Sequence, residues 1–235
     1  TAGRYNVGAA TALHFLVDGL CVGTLFLMAA SGRDTMDVPM MLLAYNVLAF
    51  MTQPLTGWWA DRLGPGRQTA LVPVWTVSLA SAVVIQMAAA LSGGWGGTLP
   101  AVATVFLLGM GNSLFHVWGG KLTATLTGSD MRALGIFVST GTLGLTVGML
   151  YASWWLLTGM LLLIILLGII ARHAGTDACA DASVSLPSSA KMPRQALYWL
   201  PGILAFVLMR SFIGEAASEG LEKTSTVLLF LAFIV

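Results

Sequence analysis

The sequence predicts an all-α protein that crosses a membrane several times. Of its 235 residues, 57% are apolar and only 9% are charged, whereas soluble domains carry about 25% charged residues. The apolar residues recur in runs of about 20, the length at which a helix crosses a hydrocarbon core of ~30 Å. Strands of a membrane barrel would alternate in polarity, but residues 161–170 are almost continuously apolar. These observations together favour helices.

Polar residues and Gly/Pro breaks divide the chain into seven predicted spans and the start of an eighth. The spans cover 8–30, 39–60, 69–91, 99–118, 133–153, 155–171 and 196–217. The first is long, contains His14 and Asp18 and leads into further spans, so we expect it to be retained and not cleaved as a signal peptide. The eighth begins near Thr224 and reaches only about half the length of a span by Val235. We therefore expect the native protein to continue.

Lysine and arginine predict the orientation of the spans. With the N-terminus inside, eight basic residues fall on the inner side and only Arg33 and Lys223 on the outer side. The inner set is Arg4, Arg62, Arg67, Lys121, Arg132, Arg172, Lys191 and Arg194. This asymmetry predicts a cytoplasmic N-terminus. We expect an integral multi-pass membrane protein and place it in a bacterial inner membrane.

A polar segment separates two groups of spans. Residues 172–194 are rich in Ser, Ala and Asp and contain Pro187 and Pro193, a composition typical of a linker. The predicted domains are a six-helix bundle over 1–171, an inner linker over 172–194 and the start of a second bundle over 195–235. This is the layout of transporters built from two six-helix halves, each made of inverted three-helix repeats.

A glycine- and charge-containing loop follows the second span. The segment reads GWWADRLGPGR over residues 57–67 and resembles the loop between helices 2 and 3 of the major facilitator superfamily, G-x-x-x-D-R-x-G-R-[RK]-[RK]. It departs from that pattern at Pro65 and Gly66, where basic residues are usual. The matching positions are Gly57, Asp61, Arg62, Gly64 and Arg67. The resemblance implies gating: the glycines would allow a tight connection, and the acid and bases would hold one face shut through charge-assisted contacts with neighbouring helix ends.

Three shorter segments resemble the fosmidomycin-resistance-type exporters within that superfamily. They are HFLVD at residues 14–18, GMGNSLFH at 109–116 and RALGIF at 132–137. Many drug/proton antiporters carry a Gly-Pro pair in the fifth helix, whereas the stretch 141–148 has glycines and no proline. Gly144 and Gly148 fit close packing of helices through a small-xxx-small face.

Four polar side chains in spans 1 and 4 form the predicted coupling site. His14 and Asp18 lie four residues apart and share a helix face, and so do Asn112 and His116. In the superfamily, helices 1 and 4 line the central cavity, so all four would face one aqueous space. We assign proton coupling to Asp18 with His14, and substrate contact to Asn112 and His116. The alternatives are a satisfied His14–Asp18 pair and an interhelical hydrogen bond from Asn112.

Further polar residues lie in spans 2 and 7. Asn46 and Gln53 share a predicted face and either contact substrate or form hydrogen bonds between helices. Arg210 stays charged at any relevant pH and must find an anion or water at that depth. It could bind a carboxylate or phosphonate by a two-pronged contact, or pair with Glu215 or Asp18.

The predicted function is secondary active transport of a small, anionic molecule, coupled to protons, by alternating access. A non-transporting scaffold or assembly factor, or a half-length chain that needs a partner or a missing second half, is the alternative. An intramembrane enzyme that uses His14, Asp18 and His116 with a metal is a third, weaker hypothesis. We expect no enzyme activity, no cofactor and no resident metal. A net charge of +1 gives no basic surface for nucleic acid.

Overall fold

In the computed structural model of the chain, residues 2–30, 38–63, 69–92, 97–128 and 130–181 are described. Within these ranges the regular structure is entirely helical, as the sequence predicts. The helices are α1 (Ala2–Ala30), α2 (Val38–Asn46), a π-helical turn (Val47–Met51), α3 (Gln53–Arg62), α4 (Leu71–Leu91), α5 (Thr98–Leu126), α6 (Met131–Tyr151) and α7 (Trp154–Asp181).

Five of the described helices, α1, α4, α5, α6 and α7, are long and apolar enough to cross a membrane. They match predicted spans 1, 3, 4, 5 and 6. Their outward faces carry exposed apolar side chains such as Val77, Val84, Leu162 and Trp155. Apolar side chains on the outside of a bundle are suited to contact with the hydrocarbon core of a membrane. The chain is therefore a multi-pass integral membrane protein.

Predicted span 2 is helical but not continuous. The prediction of one helix over 39–60 is corrected to α2, a π-helical turn at Val47–Met51 and α3. Pro54 lies at the start of α3, where its missing N–H and its ring interrupt the hydrogen-bond ladder of the preceding turn. The hydroxyl of Thr52 donates to the carbonyl of Leu48 across this region. The break falls beside α5, which α2, the π-helical turn and α3 all contact.

The last described helix runs further than the predicted span. We expected span 6 to end at residue 171 and a linker to begin at 172, but α7 continues to Asp181. The remainder of the predicted linker and the segment 195–235, with predicted spans 7 and 8, lie outside the described residues. So does Arg210.

Helix α1 lies at the centre of the bundle, packed against α6, α7 and α5. Its inward side chains, among them Leu13 and Leu20, join Trp75 of α4, Phe115 of α5 and Leu157 of α7 in one buried core. The core brings the polar face of α1 against α5 and α6. The position of the candidate site follows from this packing.

Candidate functional site

Three ionisable side chains from two helices converge inside the bundle. His14 and Asp18 lie one turn apart on α1, and Nε2 of His14 is 3.2 Å from Oδ2 of Asp18. His116 approaches from α5, and its Nε2 lies 3.2 Å from the other carboxylate oxygen, Oδ1, with hydrogen-bond geometry. One carboxylate is therefore flanked by two imidazoles. We call His14, Asp18 and His116 the central triad.

A third helix fixes the protonation of one imidazole nitrogen. Nδ1 of His14 is within hydrogen-bond distance of the main-chain carbonyl of Phe137 on α6. A carbonyl oxygen can only accept, so Nδ1 carries the hydrogen. Nε2 of a neutral His14 is then an acceptor that faces an oxygen of Asp18. It forms no hydrogen bond in this arrangement, although it is buried.

Aromatic rings enclose the central triad. The ring of Phe137 stacks on His14 with centroids 4.3 Å apart, and Phe115 lies 5.8 Å from His14. Phe50, from the π-helical turn, meets the His116 ring edge-on at 5.5 Å. The side chain of His116 is 15% exposed, whereas that of Asp18 is 5% exposed. A proton exchanging with the triad in this conformation would most directly enter through His116.

The central triad can bind and release a proton. With Asp18 ionised and His14 neutral, two acceptor atoms face each other at 3.2 Å, which is repulsive. One proton, either on Nε2 of His14 or on the carboxyl group of Asp18, converts this contact into an attraction. The surrounding apolar rings strengthen both the attraction and the repulsion, because the local dielectric constant is low.

The same donor atoms are the group among the described residues that could ligate a metal ion, since they lie within 4.8 Å of one another. Two histidines and a carboxylate suit zinc or iron. Each imidazole nitrogen lies 3.2 Å from a different oxygen of Asp18. This separation fits a shared proton, and it also fits two neighbouring ligands of one zinc ion.

Asn112 is separate from the central triad. It is fully buried, and its Nδ2 donates to the hydroxyl of Tyr45 on α2 at 2.7 Å. In this conformation the amide faces Tyr45 of α2, and contact of Asn112 with substrate stays a prediction. The interhelical hydrogen bond, the alternative for this residue, is present. Its Oδ1 is buried without a hydrogen bond.

The other predicted cavity residues are only partly accounted for. Gln53 is half-buried, and its Nε2 donates to the carbonyl of Ala49 within its own segment at 3.1 Å. Asn46 is half-buried at the end of α2. The π-helical turn between them shifts the regular spacing on which the shared face was predicted. Their contact with substrate stays a prediction.

The predicted gating segment contains an interhelical ion pair. Nζ of Lys121, near the C-terminal end of α5, donates to Oδ1 of Asp61 on α3. The guanidinium of Arg62 lies 3.5 Å from the ring centroid of Trp58, so its partner is an aromatic ring on its own helix. Gly57 lies inside α3 and not in the connection. The loop explanation is therefore wrong for Gly57, while Gly64 and Arg67 lie outside the described residues.

Several contacts of the site were not predicted from the sequence. Lys121 appeared only as an inner positive charge, and Tyr45 was not singled out. The hydroxyl oxygen of Ser113 lies 2.8 Å from that of Thr52 and 3.1 Å from that of Thr56, so hydroxyl groups join α5 to the broken second span. The spacing of Thr52 and Thr56 by one helical turn is the signal that could have indicated this contact.

No family model, curated protein or solved structure matched the chain. The chemistry of the site therefore has to be argued from its own residues.

Proposed function

We propose that the protein is a secondary active transporter that couples the movement of a small anionic molecule to protons through the central triad. The observation that carries the proposal is the placement of Asp18 between two imidazoles, each 3.2 Å from one of its oxygens, in a bundle of apolar helices. Ionisable groups at such positions are costly, and in membrane proteins they mark ion or substrate pathways. The proposal includes an inner-membrane location and a cytoplasmic N-terminus.

A proton held between His14 and Asp18 would stabilise the present packing of α1 against α5 and α6. Its release would leave two acceptors of α1 in contact and a carboxylate held only by His116 in an apolar site. Because His14 also contacts α6 and Asp18 contacts α5, a rearrangement of either side chain would loosen the packing of α1 against these helices and admit water or an ionic substrate. Proton occupancy and helix arrangement would thus be linked, which alternating access by antiport requires.

Two features support transport over a purely structural use of the triad. His116 retains partial exposure, which a buried ion pair made only for stability does not need. The Asp61–Lys121 pair at the inner end of α3 and α5 is in the segment that resembles the gating loop of the major facilitator superfamily. Asp61 is exposed and Lys121 is partly exposed, so the contact between them can break and reform at little cost.

The test is flux through proteoliposomes containing the purified protein, with an imposed pH gradient and radiolabelled fosmidomycin as the anionic probe. Asp18→Asn should abolish the dependence of flux on the gradient, because the amide cannot exchange a proton but keeps the size of the carboxyl group. Unchanged gradient-driven flux in this variant would contradict the assignment of coupling to Asp18. Absence of flux in the parent with a panel of organic anions would favour the scaffold alternative.

A further inference from the structure

Helix α6 has no side chain at the point where it faces the central triad. Gly141 is buried on α6, and a Cβ atom built on it would collide with Nε2 of His14 and lie 2.6 Å from Oδ2 of Asp18. Carbon atoms do not approach nitrogen and oxygen so closely without displacement. The two nearest of these atoms are the ones that face each other within the triad.

The other glycines of α6 have different surroundings. A Cβ at Gly144 would meet the main-chain carbonyl of Phe15, and one at Gly148 would meet that of Gly19. These two glycines allow the backbones of α1 and α6 to approach, as the small-xxx-small pattern predicts. Gly135 is exposed and has nothing within 4 Å of its Cβ position. Gly141 alone of these four faces ionisable side chains.

We propose that Gly141 is a positioning residue of the central triad, because its missing side chain leaves the space in which the proton-binding atoms of His14 and Asp18 meet. This inference rests on the proposed function, since it concerns the same proton. Moving α6 away from α1 would lose the backbone packing at Gly144 and Gly148, so we expect a methyl group at position 141 to displace the two side chains instead. The imidazole is already held from α6 by the carbonyl and the ring of Phe137.

The surroundings limit which groups can respond to such a displacement. Around Asp18 the described titratable groups are His14 and Cys21 on α1, His116 on α5 and Tyr45 on α2. Facing them, α6 contributes the carbonyl of Phe137 and the hydroxyl of Thr140, which bonds to main-chain carbonyls. A change at Gly141 should therefore be seen first in the protonation of His14 and His116.

Histidine-selective isotope labelling and NMR of the detergent-solubilised protein measure this directly, because the chain has only three histidines. In Gly141→Ala we expect the titration midpoints of His14 and His116 to move by about one pH unit, a tenfold change in proton affinity, while His173 keeps its midpoint. Gly135→Ala is the matched control and should move none of them. Unchanged midpoints for His14 and His116 in a folded Gly141→Ala protein would overturn the inference.

A double variant covers the case in which Gly141→Ala does not fold. His14→Ala removes the imidazole and lets the carboxylate of Asp18 turn into the vacated space, so His14→Ala/Gly141→Ala should recover the folded yield of His14→Ala alone. No recovery would count against the inference. Both measurements are independent of flux, so the role of Gly141 can fail while proton-coupled transport stands, and the reverse.

Discussion

At the scale of single residues, the polar side chains of the bundle fall into two groups. Some form a hydrogen bond with one side chain on another helix. Nε2 of Gln86 donates to the hydroxyl of Thr104 at 2.8 Å, and Asn112 donates to Tyr45. The central triad differs, because all three of its side chains are ionisable and His116 is partly exposed.

The Asn112–Tyr45 contact should contribute to stability and not to coupling. Removing either partner leaves the other buried without its hydrogen bond, but hydrogen bonds between membrane helices average only about 0.6 kcal/mol in double-mutant cycles. We expect a coupling energy of roughly that size between Tyr45→Phe and Asn112→Leu, measured from the free energies of unfolding in mixed micelles. A coupling energy indistinguishable from zero would mean that the hydrogen bond does not hold α5 to α2.

Much of the triad could be predicted from spacing, and part of it could not. The four-residue spacing of His14 and Asp18 predicts a shared helix face, and the structure places the two side chains together. The same spacing predicted a shared direction for Asn112 and His116, yet one turns towards α2 and the other towards α1. Helical periodicity gives a face about 100° wide, and the neighbour at each edge of that face depends on packing between helices. The carbonyl of Phe137 could not be predicted, because a backbone group leaves no signal in residue identity.

At the scale of helices, the closest contact between backbones at the described glycines is that of α1 with α6. The carbonyls of Phe15 and Gly19 occupy the space that side chains at positions 144 and 148 would need. The sequence predicted this use of Gly144 and Gly148. Without bulky side chains between them, the two helices bring the main chain of α6 within hydrogen-bond distance of His14.

Substituting Gly148 should therefore separate α1 from α6. In Gly148→Ala the added methyl group collides with the carbonyl of Gly19, and overpacking of this kind costs about 1–3 kcal/mol. Alanine favours a helix by about 1 kcal/mol over glycine, which offsets part of the loss. We expect a lower melting temperature for Gly148→Ala and an unchanged or higher one for Gly135→Ala. Equal melting temperatures for the two variants would contradict the packing role of Gly148.

The break in the second span shows where element prediction fails. Apolar composition over 39–60 correctly indicates a membrane-length segment, but composition does not report the hydrogen-bond ladder. Pro54 was the available signal for an interruption. The position of the π-helical turn depends on how the segment packs against α5. One such contact joins the hydroxyl of Thr52 to that of Ser113. Such tertiary contacts are not visible in a local pattern.

At the scale of the whole molecule, the Asp61–Lys121 pair and the cap of α6 lie at the same end of the bundle. Asp130 accepts from the main-chain N–H of Arg132 at 2.9 Å, and the turn before it contains Gly128 with a φ of 61°, a conformation that favours glycine. Lys121, Arg62 and Arg132 all belong to this end. Clustered basic residues mark the cytoplasmic side of membrane proteins.

Labelling of single cysteines by a membrane-impermeant maleimide in intact cells tests this orientation. Ser92 follows the end of α4 and Thr127 follows the end of α5. The 29 residues of α5 extend about 43 Å at 1.5 Å per residue, so the two positions lie on opposite sides of a membrane. Cys21 is fully buried, so replacing Cys179 with serine gives a suitable background. We expect Ser92→Cys to be labelled in intact cells and Thr127→Cys only after permeabilisation, and the opposite pattern would place the N-terminus outside.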